Sequence, residues 1–394
     1  MTPSPTRVLF VNSGILGHRA VATLLKDTAA LIPSVEASHV SLSDDLTIGD
    51  RIARRLLCAR LAPASGPMAN IDLARWRQEM NAALLAARRV TAAERQRPFD
   101  LLHFHTQATA YASLRRMKRT PAIVSIDATE RQASLEMTSR LARWTYQPNV
   151  MFDGLVFRAA RAIIATSRWA ARDIVTLYPD CADKVRVMPY PVRVAQFDPE
   201  WLAARAARAR NGHAAPVRLL FIGGDFPRKG GLSLLDAWRD AAFGDRVQLD
   251  VVTDWPVKTA DLPPGVRIVG GVVPYTPEWR ELWRRADAFV MPTRNEAFGM
   301  VFQEAAAAGV PAIATPINAI PELVEDGTTG LFVRPDDRAD LVRAMAALVG
   351  SPDLRLRMGC AARDRMLAIA SPETYARNLS ALIEDVMENH ARST

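Results

Sequence analysis

The chain has 394 residues, 49% hydrophobic and 23% charged, which excludes intrinsic disorder as its main state and predicts two domains. Three cysteines, Cys58, Cys181 and Cys360, exclude a disulfide scaffold and fit a reducing compartment, and no run approaches the roughly 18 apolar residues of a membrane helix. The net charge of +8 is carried almost wholly by arginine and reads either as a solvated surface or as attraction to polyanions such as nucleotide phosphates and anionic lipid. No nucleic-acid motif and no basic run interleaved with aromatics is present, so nucleic acid is not an expected partner.

In chain order, the apolar run at residues 8–11 is broken by Asn12, Ser13, Gly14 and His18 before a signal-peptide core can form. It reads as the first strand of a cytoplasmic protein. Further strands are predicted at 37–42, 101–105, 122–127, 162–166 and 185–189, with helical patterns such as 18–31 and 169–178 between them. Residues 50–62 set Arg51, Arg54, Arg55 and Arg60 beside Ile52, Leu56, Leu57 and Leu61. That segment is either a surface helix packed on its own domain or a basic amphipathic helix on the inner membrane face. The second half predicts strands at 217–223, 248–253, 266–272, 288–291, 312–314 and 331–333. Near-continuous apolar strands alternating with helices specify parallel sheets covered on both faces. The pattern occurs twice, so the expected class is α/β with two Rossmann-like domains.

Pro189, Pro191, Asp198-Pro199, a helix over 201–210 and Asn211-Gly212 punctuate the join. The expected domains are 1–197 and 198–372. A closing helical segment, 373–394, comes after Ser371-Pro372 and either stays with the second domain or crosses back to the first.

The strongest motif is Asn295-Glu296-Ala297-Phe298-Gly299-Met300-Val301-Phe302-Gln303-Glu304. A strand ends before it, and a helix is expected to begin near Gly299. Open α/β sheets bind ligands at the carboxyl ends of their strands, and a helix N-terminus offers free amides to phosphate or sugar oxygens. Glu296 and Glu304 can accept hydrogen bonds from two separate sets of hydroxyls; the alternative is a pair of ordinary surface acids. A second strand–loop–helix run is Phe221-Ile222-Gly223-Gly224-Asp225-Phe226-Pro227-Arg228-Lys229-Gly230-Gly231. Gly223 and Gly224 let a ligand approach the backbone. Lys229 supplies a mobile charge suited to phosphates that gain negative charge as a bond breaks. It is no Walker loop.

The first domain offers less. In Asn12–His18, Gly17 either brings the backbone close to a phosphate or simply makes the turn. His103 and His105 project from one strand face, but no third metal ligand is near in sequence. Asp127 is an acceptor-side candidate or a turn residue.

Taken together, these motifs resemble the retaining GT-B glycosyltransferases of family 4, group 1. Glu296 and Glu304 match the family's Glu-x7-Glu element. Ala306, Gly309, Pro311 and Ala314 match the family pattern immediately downstream of that element, and Pro321-Glu322-Leu323-Val324, Asp326-Gly327 and Gly330-Leu331-Phe332-Val333 continue it. The resemblance implies two Rossmann-like domains with parallel sheets facing across a cleft. It implies that Glu304 holds the nucleotide ribose. Glu296, with Phe298, Gly299, Met300 and Val301, holds the transferred sugar. The family's Gly-Arg-x4-Lys-Gly loop implies that Lys229 binds the donor diphosphate. Gly224 stands where the family has Arg, and Arg228, Arg294 or the first domain would have to compensate. Gly17 resembles the glycine of the family's first loop, and Asp100-x-x-His103-x-His105 resembles a family segment in which His105 would contact sugar or acceptor. Tyr190-Pro191-Val192-Arg193 replaces the usual Asn-Gly-Val-Asp, and no catalysis is assigned there.

The expected activity is metal-independent, retaining transfer of a sugar from a nucleotide-diphosphate sugar to an unidentified acceptor hydroxyl. Lys229, Glu296 and His105 are the catalytic candidates, and no cofactor is expected. The chain carries no Asp-x-Asp metal motif. A sugar-nucleotide epimerase and a non-catalytic nucleotide-sugar-binding scaffold are the alternatives. A nicotinamide oxidoreductase ranks low because Gly-x-Gly-x-x-Gly is absent.

Overall fold

Every side chain of Leu101–His105 and of Ala122–Ile126 is buried, which requires strands covered on both faces. The computed structural model describes residues 4–14, 17–44, 46–59, 61, 72–137, 139–193, 197, 199–210, 216–258 and 261–393. The chain divides into two units: residues 1–191 with 373–394, and residues 192–372.

The first unit holds β1 (Thr6–Asn12), α1 (Gly17–Ala29), β2 (Val35–Ser41), α2 (Ile48–Leu57), α3 (Ala74–Gln96) and β3 (Leu101–His105). It continues through α4 (Leu114–Met117), β4 (Ala122–Ile126), α5 (Glu130–Leu135), α6 (Arg140–Trp144), α7 (Gln147–Ala159), β5 (Ala162–Ala165), α8 (Arg168–Leu177) and β6 (Val185–Val187). Its sheet runs β2-β1-β3-β4-β5-β6, all parallel, with Phe10 opposite His103 and His103 opposite Ile123. The strand order reverses between β1 and β3. Leu9, Val11, Leu102, Phe104, Val124 and Ile163 enter one core with Ala83, Ala86, Val90 and Phe157.

The second unit holds α9 (Pro199–Arg210), β7 (Val217–Ile222), α10 (Gly231–Ala241), β8 (Val247–Val252), β9 (Val266–Val269), α11 (Pro277–Arg285) and β10 (Ala288–Met291). It closes with α12 (Met300–Ala307), β11 (Ala312–Ala314), α13 (Ile320–Leu323), β12 (Gly330–Phe332), α14 (Arg338–Gly350) and α15 (Pro352–Ala370). The sheet order is β12-β11-β10-β7-β8-β9, again all parallel, and the order reverses between β7 and β10. A last helix, α16 (Pro372–Ser393), comes next, and from Glu373 onward it belongs to the first unit.

Some boundaries differ from the sequence expectation for local reasons. β4 ends at Ile126, one residue before Asp127. β9 ends at Val269, because Gly270 and the left-handed Gly271 (φ 70°) turn the chain out of the sheet. α2 starts earlier than residue 50, since Thr47 caps it and shares a capping box with Asp50. Arg60 lies outside the described residues.

Candidate functional site

In the second unit the loops after β7 and β10 leave neighbouring strands at the point where the strand order reverses. The first loop is folded tightly on itself. Lys229 N donates to Asp225 O (2.9 Å) and Gly231 N to Phe226 O (2.8 Å). Phe226 is fully buried against Phe221. Gly230 has φ 82°, and a Cβ there would stand 2.0 Å from Pro292 O, so only glycine lets this loop lie against the end of β10. The loops are also joined by hydrogen bonds. Arg294 N donates to Arg228 O (2.9 Å), and the Arg228 guanidinium donates to Asn295 O (2.7 Å).

This zipper brings Lys229 onto Glu296, and Nζ and Oε2 form an ion pair with both side chains mostly buried. A Cβ on Gly223 would press the Lys229 stem at 3.0 Å, so the glycine makes room for that stem. Burial, reinforced by the Arg228 guanidinium, pushes the Lys229 ammonium down to about 7, while Asp225 acts in the opposite direction. Gly299, at φ 89°, caps α12, so Met300 and Val301 supply the first amides of a helix start. Phe298 is buried just before the helix start.

No atom lies within 4 Å of a Cβ built on Gly224, so nothing steric explains the missing arginine. Of the two substitutes, Arg294 is turned to Asp336 (2.7 Å). Arg228 instead reaches the residue beside Glu296, steadied by Asp225 Oδ2 at 2.9 Å.

Glu304 is buried on α12 and accepts a hydrogen bond from Tyr275 Oη (3.1 Å). Burial pushes its carboxyl up to about 8, with the Tyr275 hydroxyl acting the other way. Tyr275 has a left-handed backbone (φ 69°), and the Arg193 guanidinium sits 4.8 Å from its ring centroid. Asn318, also left-handed at φ 51°, donates to Glu296 O (3.1 Å) and fixes the second loop from the β11 side. Sequence reasoning missed Tyr275 and Asn318. Asn318 left a faint signal as an Asn in a loop after a strand, a residue that tolerates this backbone. Tyr275 left none.

In the first unit, Gly17 is the first residue of α1, and Ile15 and Leu16 before it lie outside the described residues. The glycine that the turn requires is Gly14 (φ 68°), where a Cβ would meet Ser43 Oγ at 2.7 Å. His103 Nε2 contacts Ser125 Oγ at 2.5 Å, and burial followed by the nearby His39 pushes its imidazole down to about 3. His105, expected to contact sugar or acceptor, has no exposed surface, and its Nε2 bonds Tyr190 Oη at 2.9 Å. The imidazole is packed inside the unit, where it holds the chain segment carrying Tyr190. Asp127 comes directly after β4 and, with Ser13, Thr106, Gln107 and Thr129, lines a cavity of about 200 Å³.

Residues 216–351 match the family described as "Glycosyl transferases group 1", and residues 61–196 match "Glycosyltransferase Family 4". A D-inositol 3-phosphate glycosyltransferase of Streptomyces scabiei is 29% identical over 290 residues, which is 69% of this chain and 65% of that protein. The chain thus spans just under two thirds of that relative. In fold it is similar to sucrose-phosphate synthase from Thermosynechococcus elongatus, with a TM-score of 0.71, 18% identity, and 98% and 100% of the two chains covered. It is also similar to Anabaena HepE in complex with UDP-glucose, with a TM-score of 0.66, 17% identity, and 96% and 99% covered. Two parallel six-stranded sheets, the joined Lys229 and Glu296 loops and these matches together show that the chain belongs to the family 4, group 1 glycosyltransferases of GT-B fold.

Proposed function

We propose that this chain is a retaining glycosyltransferase that moves a sugar from a nucleotide-diphosphate sugar to an acceptor hydroxyl. The observation that carries this reading is the Lys229–Glu296 pair, set beside the helix start at Gly299. The second unit supplies the donor side and the first unit the acceptor side. Lys229 and Arg228 face the diphosphate, and the backbone at Gly223 and Gly224 lets it approach. Glu296 and the amides of Phe298, Gly299, Met300 and Val301 hold the transferred sugar, and Glu304 accepts from the ribose. The fold likeness to HepE with bound UDP-glucose supports a nucleotide-sugar donor.

The acceptor oxygen bonds to the anomeric carbon from the side the nucleotide leaves. The bond from that carbon to the phosphate oxygen breaks, and the acceptor proton passes to the departing phosphate. Catalysis is then positioning plus stabilisation of the charge that grows on the diphosphate, for which Lys229 is placed. The test is thermal stabilisation of the full chain by UDP, GDP, ADP, dTDP and CDP and their sugar conjugates. A ligand at a hundred times its Kd adds about 2.7 kcal/mol if it binds only the folded state. Stabilisation by one base, larger with a sugar attached, is expected. No response to any of them overturns the reading.

A specific observation also favours contact with a membrane surface. Ile48, Ile52 and Leu56 are 77%, 55% and 69% exposed at four-residue spacing on α2, and Arg51, Arg54 and Arg55 are exposed on the same helix. An apolar stripe bordered by arginines is the form of a helix that lies on anionic lipid. We therefore place the enzyme peripherally on the inner membrane face. No helix among the described residues is long and apolar enough to cross a membrane.

A further inference from the structure

The carboxyl ends of β1, β3 and β4 surround the cavity of about 200 Å³ in the first unit. It lies where the strand order reverses, the position at which open α/β sheets take ligands. Ser13, Thr106 and Asp127 come from the strand ends, Arg75 and Glu79 from α3, and Glu130 from α5. In a chain of net charge +8, this pocket is acidic: three carboxyls face one guanidinium.

The guanidinium is already committed. Arg75 bonds Glu130 at 2.8 Å and Glu79 at 2.5 Å. Behind them, Asp153 accepts from Tyr111 Oη (2.7 Å) and from Glu130 N (2.8 Å), adding a further acid. Asn149, fully buried, donates to Glu79 Oε2 at 2.6 Å, and its own Oδ1 has no hydrogen-bond partner among the described residues. Burial, then the Glu130 charge, pushes the Glu79 and Asp153 carboxyls well up, so this group of acids can donate as well as accept. Among the described residues, no three His, Cys, Asp or Glu side chains are placed to hold a metal ion.

A phosphate entering here would meet Asp127 and Glu130, while Arg75, the one cation among the described lining residues, is already paired, a like-charge arrangement that interfaces use to reject a partner. A ring of hydroxyls meets what it needs: carboxyl acceptors, the Thr106 and Ser13 region, and a volume small enough for one ring. We infer that this cavity is the acceptor subsite and that it selects a sugar or cyclitol ring with free hydroxyls and no anionic group, rejecting the phosphorylated counterpart. The inference rests on the transferase reading above and adds the acceptor's chemical class.

The experiment uses the full chain and two pairs of probes, myo-inositol with D-inositol 3-phosphate and glucose with glucose 6-phosphate. Saturation-transfer NMR reads their affinities in the presence of the nucleotide sugar that stabilises the protein most. The uncharged member of each pair should bind at least about tenfold tighter. Glu130→Gln should narrow that ratio severalfold. Asp127→Asn, at a half-buried position, should do the same if the first variant fails to fold. A phosphorylated probe binding as tightly as its neutral partner, or no signal from any probe, overturns the inference. Donor stabilisation is measured on the same samples. Its loss would sink the transferase reading, whereas donor binding with the wrong acceptor preference sinks only the acceptor class.

Discussion

The Lys229 ammonium rests on the Glu296 carboxylate, and the two residues stand on loops that leave the adjacent strands β7 and β10. Neither side chain is free to wander. Glycine at 230 and Phe226 fix the first loop, and Asn318 and Arg228 fix the second. A cation and an anion held this way form a pre-set dipole, which is what charge stabilisation without reorganisation needs.

Removing the cation should therefore cost turnover more than folding. Lys229→Ala is expected to lose on the order of a hundredfold or more in kcat, by analogy with deletion of a single oxyanion donor. Steady-state kinetics with the identified donor check this. Turnover near that of the wild type would remove Lys229 from the reaction.

Glu304 should make stability depend on pH. Its carboxyl is raised in the folded state, from 4.5 to about 8, so its contribution is complete below 4.5 and is lost as pH rises toward 8. Glu304→Gln has no such loss. The stability gap in favour of the variant should grow by at most about 1.4 kcal/mol for each pH unit across that window and then level off. Urea titrations at pH 5, 6, 7 and 8 read the gap. A constant difference would mean that the carboxyl is ionised throughout. The same variant should weaken nucleotide binding most above about pH 8, where the carboxyl is ionised and a hydrogen bond to a charged group contributes about 1.5–3 kcal/mol.

Two glycines of the first loop, Gly230 and Gly224, should respond in opposite ways. Gly230→Ala adds a Cβ within 2.0 Å of Pro292 O at a left-handed residue. It should destabilise the protein by about 1–3 kcal/mol and part the Lys229 loop from β10. Gly224→Arg points into open space and should leave the Tm within a few degrees. It should also tighten binding of a nucleoside diphosphate, by up to about tenfold, by adding the charge the family carries there. Weaker binding in this variant would show that Arg228 already fills the place.

On α2, Ile52→Asp puts a charge in the middle of the exposed apolar stripe. Co-sedimentation with vesicles containing phosphatidylglycerol should fall severalfold, while the donor-dependent Tm shift stays unchanged. If the wild-type chain does not sediment with such vesicles, the helix is an ordinary surface element.

Most of the sheet was legible because parallel strands must be apolar on both faces. Leu101–His105 and Ala288–Met291 declare themselves by composition alone. The Glu296–Glu304 run was legible because a strand, a glycine and a helix start succeed one another in sequence. α3 was not: 23 residues rich in Ala and Arg give little periodic contrast. The pairing of His105 with Tyr190 spans 85 residues, and that of Tyr275 with Glu304 spans 29. No local pattern announces either, because each partner is chosen by the packing of separate elements. The acidic pocket around Arg75 was hidden for the same reason, since α3 and α5 contribute to it from distant parts of the chain.

The second unit starts and ends at neighbouring points: Val192 N donates to Ala370 O at 2.9 Å, and α16 then rejoins the first unit. A segment whose two ends lie side by side behaves as a cassette. Exchanging residues 192–372 for the corresponding stretch of another family member needs just two splices, at Pro191 and at Glu373. On the function proposed above, such chimaeras would pair one acceptor-side unit with a series of donor-side units, so that donor choice could be recombined without redesigning the rest of the enzyme.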